Sequence, residues 1–73
     1  MDWKKQARSL IKTELAKRDI GYEHLSMELE KIGIIEKPSN LSNKINRGTF
    51  SFIFALQVFK ALGIDNLNLK DFT

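Results

Sequence analysis

An all-α fold, a compact bundle of four to five helices around one small core, follows from three features of this 73-residue sequence. Apolar residues recur at helical spacing in four separate segments, Gly33, Gly48 and Gly63 stand where three of those segments stop, and no segment offers a strand for another to pair with. The chain reads as a single domain over residues 1–73, without repeats, low-complexity tracts or linkers.

The first segment carries Trp3, Ala7, Leu10, Ile11 and Leu15 at i, i+4, i+7, i+8 and i+12, which predicts a helix over about 2–18 with Asp2 as its N-cap. Tyr22, Leu25, Leu29 and Ile32 then predict a second helix over 22–32, ended by Gly33 in the left-handed conformation. The connection that follows holds Ile34 and Ile35, two apolar side chains expected to tuck inward. Pro38 suits the first turn of a third helix, 38–46, with Gly48 as its stop.

Residues 50–62 are apolar on more than one face. Phe50, Phe52 and Phe54 alternate as in a strand, but without a partner strand a buried helix over 51–62 is expected, capped by Thr49 or Ser51 and ended by Gly63. With Phe52, Leu56 and Phe59 turned to the core, Phe50, Ile53, Phe54 and Val58 would be left over. Either the bundle wraps this helix on all sides or the surplus meets a second copy, giving a homodimer through 51–62. The short C-terminal segment 66–72 brings Leu67, Leu69 and Phe72 to close the core or to join that contact.

Composition narrows the chemistry. The absence of Cys removes disulfides, thiolate nucleophiles and Cys-based zinc sites, and with no membrane-length apolar run and no signal-peptide core near the N-terminus, a soluble cytoplasmic protein without a membrane partner is expected. His24 and Glu28 share a helical face, but two ligand types on an exposed helix more often form an ion pair than a metal site. There is no glycine-rich phosphate loop and no Ser-His-Asp arrangement, so neither enzymatic activity nor a cofactor is expected.

The net charge of +3 is segregated. Residues 1–18 carry Lys4, Lys5, Arg8, Lys12, Lys17 and Arg18 against Asp2 and Glu14, a net +4. Residues 19–36 reverse the sign, with Asp19, Glu23, Glu28, Glu30 and Glu36 against Lys31, a net −4. Residues 37–60 return to +4 through Lys37, Lys44, Arg47 and Lys60 and contain no acid, and residues 61–73 add −1. Such segregation steers a polyanion to one face and an acidic partner, or the protein's own copy, to another.

The stretch 37–48, Lys-Pro-Ser-Asn-Leu-Ser-Asn-Lys-Ile-Asn-Arg-Gly, concentrates the interest. With Leu41 and Ile45 inward, a turn of about 100° per residue sends Asn43 nearly opposite, Ser39, Asn46 and Arg47 beside it, and Asn40 and Lys44 to the shoulder. Asn pairs bidentately with adenine, Arg or Lys with guanine, and Ser with several groups, so the outward set suits major-groove reading. A short soluble surface helix is the bland alternative.

Two helices, a connection, a polar third helix closing on Arg47-Gly48 and an apolar fourth closing on Leu62-Gly63-Ile64 resemble the lambda-repressor-like helix-turn-helix domains of phage and bacterial regulators, over about residues 8–72. Ile20-Gly21-Tyr22-Glu23-His24-Leu25-Ser26 looks like the start of that family's second helix, and Leu41-Ser42-Asn43-Lys44-Ile45-Asn46-Arg47-Gly48 like its recognition helix. The sequence is similar, more closely still, to a small bacterial group known only as a domain of unknown function.

Three departures accompany the first resemblance. The connection 33–37 is longer than the family's usual tight turn, Tyr22 stands where the family often has a phosphate-holding Gln, and the second helix is acidic. Tyr22 is either a phosphate donor or a core residue.

The resemblance implies a module that binds double-stranded DNA, a transcriptional regulator. Ser39, Asn40, Asn43, Lys44 and Arg47 would reach bases or flanking phosphates, while Arg18, Tyr22, Lys37 and Thr49 would position the backbone. The alternative is a protein-interaction or dimerisation module that keeps the fold and uses its acidic second helix or apolar fourth. RNA binding is weaker than either, because the polar helix has no interleaved aromatics.

Overall fold

In the computed structural model, residues 1–67 and 69 are described. Four helices form: α1 (Trp3–Lys17), α2 (Tyr22–Lys31), α3 (Pro38–Arg47) and α4 (Phe52–Ala61). No strand occurs among the described residues. The Asp2 carboxylate accepts from the Lys5 amide at 3.1 Å and caps α1, and the Ser51 hydroxyl accepts from the Phe54 amide at 3.0 Å and caps α4, so the second of the two capping candidates takes that role.

Three helices end in the same closure. In each, the residue after the C-cap is left-handed, and the amide two beyond the cap donates to a carbonyl five positions back: Ile20 to Leu15, Ile34 to Leu29, and Ile64 to Phe59. Gly33 (φ 84°) and Gly63 (φ 70°) take the left-handed position after α2 and α4. After α1 it falls to Asp19 (φ 53°), whereas Gly21 is extended and serves as the N-cap of α2. The spacing alone did not single out Asp19, because the adjacent Gly21 is the more usual occupant of such a turn.

Each helix contributes one i,i+4 pair to the core: Ile11 and Leu15, Leu25 and Leu29, Leu41 and Ile45, Phe54 and Val58. Stacked i,i+4 positions lie on one face, and the four faces meet to give a radius of gyration of 11.5 Å, close to the roughly 11 Å expected of a compact domain of this length. α1 packs on α3, α3 on α2, and α2 on α4.

The structure corrects three expectations about which way side chains turn. Trp3 is 69% exposed, beside the hollow it lines with Ala7, Leu10 and Phe52. Ile35 is 77% exposed; the closure after Gly33 spends the inward position on Ile34. On α4 the buried side chains are Phe54, Ala55 and Val58, with Phe59 half-buried, so Phe52 and Leu56 face outward rather than the core. The cap at Ser51 and the packing of α2 fix this rotation, which an all-round apolar segment leaves open. Of the segment 66–72, the placement of Phe72 lies outside the described residues.

Candidate nucleic-acid interface

α3 is anchored from below. Leu41 and Ile45 are fully buried, Pro38 sits in its first turn, and Gly48 closes it in the left-handed conformation (φ 69°). A helix held on one side by two buried i,i+4 side chains presents its other side in fixed register. That side exposes Ser39, Asn40, Asn43, Asn46 and Arg47, with Lys37 exposed just before and Thr49 just after. No acidic residue lies between Lys37 and Lys60.

Two polar groups of α3, Asn46 and Lys44, are already engaged. The Asn46 side-chain amide donates to the Ser42 carbonyl at 2.8 Å and to the Ser42 hydroxyl at 3.1 Å, which folds it back along the helix. Lys44 is ion-paired with Glu36, and its Nζ stands 5.1 Å from the centre of the Phe54 ring. This cation therefore points toward the connection and α4. Ser39, Asn40, Asn43 and Arg47 are the members of the expected base-contacting set that stand fully outward.

The connection before α3 is long but tied down. The Ser26 hydroxyl of α2 donates to the Glu36 carbonyl at 2.6 Å, Ile34 packs on the core, and Glu36 in turn holds Lys44. Just past α3, Lys44, Arg47, Thr49, Phe50, Ser51 and Phe54 surround a hollow of about 180 Å³ at the start of α4. Arg47 and Thr49, two positions apart in sequence, are thus brought to one rim by the left-handed turn at Gly48.

Arg18, expected to position the backbone, is already engaged within the fold. Its guanidinium donates to the Glu14 carboxylate at 3.0 Å, to the Glu14 carbonyl at 3.1 Å and to the Leu62 carbonyl at 3.3 Å. It ties the end of α1 to the end of α4. Tyr22 packs half-buried against the core, which favours the core side of its two readings.

Glu14 is the buried acid of this region. Burial alone would raise its carboxyl, but hydrogen bonds and charge from Lys17 and Arg18 outweigh that and hold it below the ordinary carboxylate range.

Arg8 is the residue that spacing did not reveal. Its guanidinium donates to the Asn46 carbonyl at 2.9 Å, bringing a cation of α1 to the C-terminal end of α3, 38 positions away. A cation there satisfies an orphan carbonyl and complements the helix dipole, and no local pattern signals such a long-range contact.

The opposite sign gathers on α2. Glu23 and Glu30 are exposed, and Glu28 accepts from Lys31 at 3.0 Å and lies 3.3 Å from the His24 ring nitrogen. The Lys31 hydrogen bond is the main cause that lowers the Glu28 carboxyl. His24 and Glu28 form a pair; among the described residues no group of three or more His, Asp or Glu side chains gathers as for a metal. No helix among those residues is long and apolar enough to cross a membrane.

A family model described as a domain of unknown function, DUF6471, matches residues 3–67. That span includes all four helices. No curated protein and no solved structure matches the chain.

Proposed function

We propose, for a chain that belongs to the DUF6471 family of domains of unknown function, that it is a double-stranded DNA-binding module of the lambda-repressor-like helix-turn-helix type, a cytoplasmic transcriptional regulator. The observation that carries the reading is the outer face of α3, where Ser39, Asn40, Asn43 and Arg47 stand exposed on a helix pinned by Leu41 and Ile45, with no acid among them. Asn and Arg are the side chains that pair bidentately with adenine and guanine edges, and a rigid helix presents them at fixed spacing. Lys37 and Thr49, exposed at the two ends of the same face, are placed to hold phosphates on either side.

The test is selection of bound duplexes from a random pool at about 50 and 200 mM salt, with sequencing of the bound fraction. A recovered motif whose affinity falls steeply with salt supports the reading. Absence of enrichment, with no binding at the lower salt, overturns it.

A second reading rests on α2. Glu23, Glu30 and the exposed Met27 give that helix an acidic face with an apolar centre, which suits a basic protein partner better than a polyanion. Lys44→Glu with Arg47→Glu abolishes a DNA complex and leaves an α2-mediated interaction intact, so the double variant separates the two.

A further inference from the structure

We infer that the basic side of α1, formed by Lys4, Lys5, Arg8 and Lys12, holds the phosphate backbone of the duplex that α3 addresses. The inference rests on the DNA reading and widens its contact surface from one helix to two. At a turn of about 100° per residue, the four cations fall within roughly 100° of one another around α1. Lys4 and Arg8 continue the line of the buried Ile11 and Leu15 toward the start of the helix, and Lys5 and Lys12 stand beside them. Trp3, Gln6, Ala7 and Leu10 take the other flank, where they line the hollow next to α4. Charge and apolar surface are thus sorted to two sides of one helix.

Two contacts set the basic side against the carboxyl end of α3. The Arg8 guanidinium donates to the Asn46 carbonyl at 2.9 Å, and Gly48 lies against the Lys4 backbone. Arg47, between those two residues of α3, is exposed, so the cations of α1 extend the acid-free outer face of α3. The end of a helix carries only about half a negative charge, and Arg8 meets it with one of its five N–H groups. Lys4, Lys5 and Lys12 exceed that demand. Asp2 is engaged in capping α1, Glu14 is held by Lys17 and Arg18, and among the described residues none of the four cations lies within 4 Å of a carboxylate. α2, which also packs on α3, exposes Glu23 and Glu30. Of the two helices that flank α3, α1 is therefore the one that attracts a polyanion. From Lys4 to Lys12 the stripe runs about 12 Å at 1.5 Å per residue, against one phosphate per 3.4 Å of axis on each strand, so it reaches more than one phosphate.

The experiment is a salt titration by fluorescence anisotropy, between about 50 and 300 mM, of a duplex carrying the selected motif and of a shuffled duplex. Lys5→Gln with Lys12→Gln alters two exposed side chains and should keep the wild-type helical circular dichroism. This double variant should bind both duplexes at least tenfold more weakly at the lower salt, reduce the slope of log affinity against log salt by about two, and leave the preference for the motif unchanged. Lys4→Gln with Arg8→Gln should repeat the effect. Lys31→Gln with Lys60→Gln removes the same charge from α2 and α4 and should leave the slope close to that of wild type. Unchanged slopes in both α1 variants, beside a wild type that binds, would overturn this inference alone. An equal loss in the Lys31 and Lys60 variant would also overturn it, because overall charge would then account for the effect. A wild type that binds neither duplex at the lower salt removes the DNA reading and this inference with it.

Discussion

Gly48 lies against the backbone of Lys4 so closely that a Cβ built on it would overlap the Lys4 carbonyl. The contact sets how near the start of α1 comes to the end of α3, next to the point where Arg8 holds the Asn46 carbonyl. Gly63 has nearly the same backbone angle, φ 70° against 69°, but among the described residues nothing stands within 4 Å of its missing Cβ.

The pair separates backbone strain from steric overlap. Gly63→Ala should cost about 1 kcal/mol, the penalty of a left-handed alanine, and Gly48→Ala should cost roughly 2–4 kcal/mol, because α1 must also move away. Urea denaturation of both variants gives the comparison. Equal losses would mean that the approach of Lys4 relaxes without cost.

Asp19 offers the converse. It holds the left-handed position after α1 without being glycine, so Asp19→Gly should stabilise the fold by about 0.5–1 kcal/mol. A rise in the urea midpoint at unchanged slope is the expected result.

Glu14 makes stability depend on acid. Its folded carboxyl is lowered by Lys17 and Arg18, so the unfolded chain binds its proton more readily. The contribution is therefore complete above the ordinary carboxylate value of about 4.3 and is lost as the pH falls from there through the lower folded value. Glu14→Gln should cost about 1–2 kcal/mol at neutral pH, with Arg18 half-exposed and Lys17 more so limiting the loss, and the difference from wild type should shrink in acid. Denaturation of the two proteins at neutral pH and in acid measures it.

Glu36 and Lys44 set the charge offered beside α3. Glu36→Gln removes an acid and releases Lys44, so duplex affinity should rise and the dependence of log affinity on log salt should steepen by about one. An unchanged slope in fluorescence anisotropy would place Lys44 out of reach of the phosphates.

Arg47 tests base reading. Arg47→Ala should lose about 1–3 kcal/mol at one base position of the selected motif. A loss spread evenly over all duplexes, with a shallower salt slope, would make Arg47 a phosphate contact instead.

What the sequence determined by itself was the set of helices. Asp2, Pro38, Gly33, Gly48 and Gly63 mark ends through bonds or backbone angles that depend on a few neighbouring residues, and Leu25, Leu29, Leu41 and Ile45 fell on the buried faces that their spacing indicates. The outer face of α3 was legible for the same reason: once two inner positions are known, the turn per residue fixes the rest.

The tertiary structure alone decided which apolar side chains remain outside. Trp3, Ile35, Phe52 and Leu56 are as apolar as the residues that became buried, and periodicity gives no second reference direction for a helix such as α4 that is apolar nearly all round. It also decided the long-range polar ties, Arg18 to Leu62, Arg8 to Asn46 and Ser26 to Glu36, which brace the ends of the helices and brought an unforeseen cation to the end of α3. Local rules act over three or four residues, whereas these partners meet only after the helices have packed.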